Sequence, residues 1–185
     1  MKNSIHIFFF LFVINLVSCH QEKKDVSISF PRLNEEMLKK DQLTSLYNEN
    51  RLFLRQMCLI NSKGKAVCLE EINKGTSLVI RYSAHSCSDC ISFINKSVLE
   101  NAINKEDILL FLSDIPIRDL HVIKKQLNLP DVYRIDSLPL SFDEEKIPYV
   151  FVIDSSYCCS SFFVPRKEIP EQTDRYFDFI KKERL

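Results

Sequence analysis

Three short apolar runs constrain this chain more than anything else in it: SLVIRYS (77–83), DILLFLS (107–113) and YVFVID (149–154). A strand with one wet face alternates apolar and polar residues, and these runs barely do, so each reads as a strand covered on both sides. The intervening stretches supply the cover. CISFINKSVLENAI (90–103) sets Ile91, Ile94, Val98 and Ala102 at helical spacing. IRDLHVIKKQLNL (117–129) reads as a helix that stops before Pro130. EQTDRYFDFIKKE (171–183) reads as an amphipathic helix with Tyr176, Phe177 and Ile180 inward. The pattern predicts an α/β fold, a central mixed sheet with helices on both faces.

The flanking elements are weaker signals. Residues 34–48 predict a helix, with Asn34 as cap and Glu35 and Glu36 in the first turn. RLFLRQMCLI (51–60) and KAVCLEEI (65–72) read as two strands of a hairpin closed by Ser62-Lys63-Gly64, with Gly64 at positive φ. In that register Asn61 faces Lys65 and Cys58 falls opposite Cys68, at a pair without mutual hydrogen bonds where side chains come close. A structural disulfide Cys58–Cys68 is one expectation there, two free thiols the other. VYRID (132–136) predicts a short strand, and CSSFFVP (159–165) an antiparallel partner for 149–154. Cys158 and Cys159, adjacent on that strand, point to opposite faces and read as packing residues.

The first nineteen residues, MKNSIHIFFFLFVINLVSC, pair Lys2 with an apolar run over 7–17. That run is shorter than the about 20 residues that span a bilayer and suits the apolar core of an export signal. Leu16-Val17-Ser18-Cys19 resembles a bacterial lipobox, which implies cleavage before Cys19 and lipid on its sulfur. The expected organisation is a signal peptide at 1–18, a tether at 19–32, an N-terminal helix and lead-in at 33–56, and one domain at 57–185. Export into an oxidising compartment is compatible with the seven cysteines. The localisation expected is the cell envelope, on the periplasmic or exterior side of a membrane.

Basic and acidic residues balance at 25 each, so the basic footprint of a nucleic-acid binder is absent and no nucleic-acid partner is expected. Two glycines in the whole sequence exclude a glycine-rich nucleotide or phosphate loop. Neither His-Glu-x-x-His nor Gly-x-Ser-x-Gly occurs.

What remains is RYSAHSCSDCISF (81–93), with Cys87 and Cys90 between a predicted buried strand and a predicted helix. A redox pair, half a metal site or a structural disulfide are the alternatives. At a helix start, unpaired N–H groups and the positive helix end stabilise a thiolate. Cys90, three residues on, shares a helix face with Cys87, so the sulfurs reach one another. That placement favours redox chemistry, with Cys87 as nucleophile and Cys90 as resolving thiol. His85 and Asp89 flank the pair as tuning residues; the Asp89 charge is expected to oppose ionisation of Cys87. The potential expected is then nearer thioredoxin's, about −270 mV, than a strong oxidant's.

LVIRYSAHSCSDC resembles the strand and active-site turn of the thioredoxin superfamily. With Gly64, Lys65, Val67 and Leu69 before it, the chain resembles more narrowly membrane-anchored thioredoxin-like thiol–disulfide reductases. It is also similar to the related alkyl hydroperoxide reductase and thiol-specific antioxidant group. Ile147-Pro148 in KIPYVFVID is similar to the family's Ile-cis-Pro, which implies a substrate-docking edge facing the dithiol. The resemblance covers about residues 57–183 and implies a thioredoxin-like fold with an N-terminal hairpin and a preceding helix. It departs at Ser86, where tryptophan is frequent, and at Arg81, where a buried acid is frequent. The peroxidatic Pro-x-x-x-Thr-x-x-Cys pattern is missing. The activity implied is envelope thiol–disulfide exchange by a monomer, reductase direction favoured, with protein thiols and disulfides as partners. The Cys87–Cys90 pair would itself be the redox group, with no organic cofactor and no metal. The alternative is a non-catalytic lipoprotein of the same fold that binds a partner protein or a metal.

Overall fold

The computed structural model describes residues 35–49, 51–101 and 103–185; the expected signal peptide, the tether and Cys19 lie outside them. In chain order the described elements are α1 (Glu35–Glu49), β1 (Leu52–Phe53), β2 (Cys58–Asn61), β3 (Ala66–Cys68), α2 (Leu69–Ile72) and β4 (Ser77–Ser83). There follow α3 (Ser88–Glu100), β5 (Ile108–Ser113), α4 (Ile117–Leu127), β6 (Tyr133–Arg134), α5 (Ser141–Glu144), β7 (Tyr149–Ile153), β8 (Cys158–Phe163) and α6 (Pro170–Glu183). The strands form one sheet in the order β1-β8-β7-β4-β5-β6-β2-β3. β4 and β5 run parallel, as do β5 and β6, while β7 is antiparallel to both β4 and β8.

The three apolar runs occupy the middle of the sheet, and every residue of β4, β5 and β7 is buried. Period-two alternation divides them between two cores. Leu78, Ile80, Ile108, Leu110, Leu112, Val150 and Val152 pack with Ile94 and Val98 of α3, Leu120 of α4, and Phe177 and Ile180 of α6. Val79, Leu109, Phe111, Tyr149, Phe151 and Ile153 face the other way, onto Leu69, Phe142 and Phe162, with Leu43 and Tyr47 of α1 at the margin.

Two strand expectations are corrected. Residues 51–60 are not one strand: Leu54 donates its N–H to the Tyr157 carbonyl and Met57 donates back to Leu54, turning the chain between β1 and β2. β1 and β2 stand six strand positions apart, about 29 Å across a flat sheet at about 4.8 Å per strand. The five Cα steps from Phe53 to Cys58 reach about 18 Å at most. The sheet must therefore curl until its edges approach. Likewise 65–72 is strand only to Cys68, and Leu69–Ile72 is a helical turn closed by the Asn73 N–H on the Leu69 carbonyl. A strand would send Leu69 and Ile72 to opposite faces; one helical turn sends both into the same core.

The hairpin loop is as expected. Asn61 donates to the Lys65 carbonyl at 3.0 Å, Gly64 has φ +77°, and Cys58 pairs in register with Cys68. α4 ends at Asn128, which takes the left-handed φ of +52° just before Pro130.

Candidate active site

β4 carries the chain to Ser83, and a short turn then delivers Cys87 to the start of α3. Hydroxyl groups hold that turn. Ser83 donates its N–H to Ser86 Oγ (3.1 Å), His85 donates its N–H to Ser83 Oγ (3.1 Å), and Ser86 Oγ donates to the Lys146 carbonyl (2.8 Å). Ser86 is buried and joins the cysteine turn to the segment that continues into Ile147 and Pro148.

Cys87 is the N-cap of α3, its Sγ accepting the Cys90 N–H at 3.3 Å. It is exposed, whereas Cys90 is half-buried one turn along. The Cys87 thiol is held below its ordinary value. The hydrogen bond from the Cys90 thiol contributes most, then the Cys90 N–H, the Lys167 ammonium and the Asp89 N–H. Cys90 is pushed up to about 11, by burial first and then by its bond to Cys87. Cys87 is thus the easier of the two sulfurs to ionise.

Cys87, Cys90, His85, Ile147, Pro148 and Lys167 line one cleft of about 430 Å³. The fold therefore brings together the dithiol, His85 and the Ile147–Pro148 pair named from the sequence. Pro148 is buried and Ile147 half-buried. The expected cis bond is corrected: all described peptide bonds are trans, and the reversal into β7 is made at Lys146, whose φ is +56°. The Asp89 carboxylate lies 3.4 Å from Lys167 Nζ, and the Asp89 backbone N–H helps to hold the Cys87 thiol low. The Lys167 cation lowers it as well, and so works against the Asp89 charge from which a low potential was argued.

Arg81, on β4 six residues before Cys87, is the centre of a buried network. Its guanidinium pairs with Asp143 of α5 through Nε (3.0 Å) and Nη2 (2.5 Å). Asp143 also accepts the Tyr149 hydroxyl (2.8 Å) and the Leu138 N–H (2.7 Å). These bonds fix residues 138–149 to β4, and so place Ile147 and Pro148 over the cysteine turn. At the rim, Lys146 Nζ pairs with Asp114 Oδ2 at 3.0 Å.

Cys58 and Cys68 also meet, but elsewhere in the fold, on the β2–β3 hairpin. Lys167, Asp143 and Ser86 are the site residues that sequence reasoning missed as contributors. Ser86 had a direct signal, as the polar residue standing where an aromatic is frequent, and Asp143 an indirect one, in the strand arginine that needs an anion.

The parallel β4–α3–β5 unit, the antiparallel β7–β8 pair and the closing helix α6 make a thioredoxin-like fold. No protein-family model matches the chain, and no curated protein matches it in sequence. Among solved structures it is similar to a thiol:disulfide interchange protein of the thioredoxin family from Chlorobium tepidum TLS. The identity is 16%, the TM-score 0.42, and the match covers 70% of this chain and 96% of that one. Peroxidoxin BcpB from Mycobacterium tuberculosis matches at 11% identity and TM-score 0.47, over 72% of this chain and 97% of that one. Copper-bound ScoI from Arabidopsis thaliana matches at 11% and 0.47, over 68% and 96%.

Proposed function

We propose that the protein is a thiol–disulfide oxidoreductase of the cell envelope, held to a membrane by lipid on Cys19 and acting on protein disulfides. The observation that carries this reading is the asymmetry of the pair. Cys87 is exposed, caps a helix and has a lowered thiol value, while Cys90 is sheltered and raised to about 11, and both open on one cleft.

In the reductase direction, the Cys87 thiolate attacks one sulfur of a substrate disulfide. A mixed disulfide forms, and the other substrate sulfur leaves as a thiolate and takes up a proton. Cys90 then gives up its proton and attacks the Cys87 sulfur, closing Cys87–Cys90 and releasing the second substrate thiol. Two electrons pass from the dithiol to the substrate, and an external dithiol restores the enzyme. The Ile147–Pro148 edge receives the substrate chain, and proline leaves no N–H at that position to compete for it. Ionising Cys87 and sheltering Cys90 fits first attack by Cys87, since the thiolate is the nucleophile.

Cys90→Ser should accumulate reductant-sensitive covalent adducts with envelope proteins, and Cys87→Ser should not. The unmutated protein should accelerate insulin reduction by dithiothreitol. Absence of both adducts and insulin reduction would overturn the reading in favour of a binding lipoprotein.

A further inference from the structure

The β2–β3 hairpin carries a second facing pair of thiols. Cys58 lies directly opposite Cys68. The neighbouring pair is hydrogen-bonded, with the Leu69 N–H on the Met57 carbonyl at 3.0 Å, and so is the pair at the loop, Asn61 to Lys65. Counting from either end makes Cys58–Cys68 a pair without mutual backbone bonds, where facing side chains approach most closely. Such pairs have Cα atoms about 4.5 Å apart, at the short end of the about 4.4–6.8 Å that a disulfide tolerates. A bridge there forms without backbone rearrangement, and with one sulfur exposed it stays open to attack by an external thiol.

The place is also accessible. Cys58 is exposed and Cys68 half-buried. The Cys68 thiol is raised, by Cys58 first, then by burial and by Glu71 and Glu70. Cys58, the exposed sulfur, is thus the better placed to attack, with Cys68 to resolve.

The pair is remote from the cleft. Cys68 leads into α2, and Asn73 after it donates to the Asp154 carbonyl (3.0 Å) just beyond β7. That end of β7 pairs with Ser77, where β4 begins, whereas Cys87 lies past the other end of β4. Seven residues of strand, about 20 Å, separate the two ends.

We propose that Cys58 and Cys68 are a second thiol–disulfide centre, opening and closing reversibly against a small disulfide of the surroundings and independently of Cys87 and Cys90. Cys58 thiolate attacks the external disulfide and releases one thiol. Cys68 then loses its proton, attacks the Cys58 sulfur and releases the second thiol. The pair gives up two electrons and two protons, which the external disulfide takes. Closure fastens β2 to the junction of β3 and α2.

The test uses the full chain with Cys87→Ser and Cys90→Ser, leaving the hairpin intact. Samples are equilibrated across ratios of reduced to oxidised glutathione, alkylated, digested with trypsin and mapped by mass. Peptides 56–63 and 66–74 should be joined through Cys58 and Cys68 in oxidised glutathione. They should separate as alkylated thiols in excess reduced glutathione, with the circular dichroism of the folded protein unchanged. Two alkylated thiols at every ratio would overturn the proposal. So would a joined pair that excess reduced glutathione fails to open in the folded protein.

Discussion

Arg81→Met should cost the protein about 3–5 kcal/mol, the range for breaking a buried ion pair by removing one partner. Solvent hardly screens the pair, because the side chains of Arg81 and Asp143 are 3% and 5% exposed. Among the described residues, the loss would leave Asp143 buried with the Tyr149 hydroxyl and the Leu138 N–H as donors. At about 2–4 °C per kcal/mol for a chain of this size, the midpoint of thermal unfolding should fall by roughly 6–20 °C. Arg81→Met with Asp143→Leu should recover most of that, since an apolar pair removes both charges together. The double variant also removes Arg81 Nη1, a buried donor that makes no hydrogen bond among the described residues. Urea unfolding of the four proteins in a double-mutant cycle gives the coupling directly. Insulin reduction should follow stability in the single variants but stay low in the double variant, because the side-chain tie from Leu138 and α5 to β4 would be gone. A single-variant loss under about 1 kcal/mol would refute the reasoning, since it would mean the network neither holds the segment nor leaves a buried charge behind.

Other consequences are simpler to read. A lowered Cys87 value means that thiolate is populated at lower pH, so the alkylation midpoint of Cys87 should lie below the ordinary 9.0 and that of Cys90 near 11; Lys167→Ala should move the Cys87 midpoint up and slow alkylation at neutral pH. Ser86→Ala removes the donor to the Lys146 carbonyl and the acceptor for the Ser83 N–H, which should lower stability by about 1–3 kcal/mol in urea titration and slow insulin reduction. Cys19→Ala should shift the protein from the membrane fraction to the soluble one and remove the lipid mass; a membrane-bound, uncleaved protein would contradict the proposed lipid anchor.

The central strands were legible because burial on both faces leaves a mark that needs no partner to be read. SLVIRYS became β4 over the residues expected, and the helices after it were found by their apolar spacing. The edges were not legible, for a physical reason. At RLFLRQMCLI the local pattern is equally good for one strand or two, and the choice is made by Tyr157, about a hundred residues on, which takes the Leu54 N–H. KAVCLEEI has the same defect: alternation and one helical turn differ only in where Ile72 goes, and the core around Leu69 decides that.

At the site the division is similar, between what one segment holds and what several must supply. Cys87 and Cys90 could be placed from their own segment, because a helix start acts on a sulfur through the backbone of the next three residues, and that backbone is local. The sign of the charge beside Cys87 could not. Asp89 is the near residue in sequence, so it dominated the expectation, yet the field at Cys87 also holds a cation that works against it. The matching cation, Lys167, arrives from the segment between β8 and α6. Asp143 reaches Arg81 across an interval of 62 residues in the same way. An arginine in a buried strand six residues before a reactive cysteine was itself a clue. A buried guanidinium needs an anion, and the sequence offered many carboxylates without saying which. The choice fell on a carboxylate whose short helix also carries the chain to Ile147 and Pro148, so the pairing that neutralises Arg81 also sets the wall of the cleft.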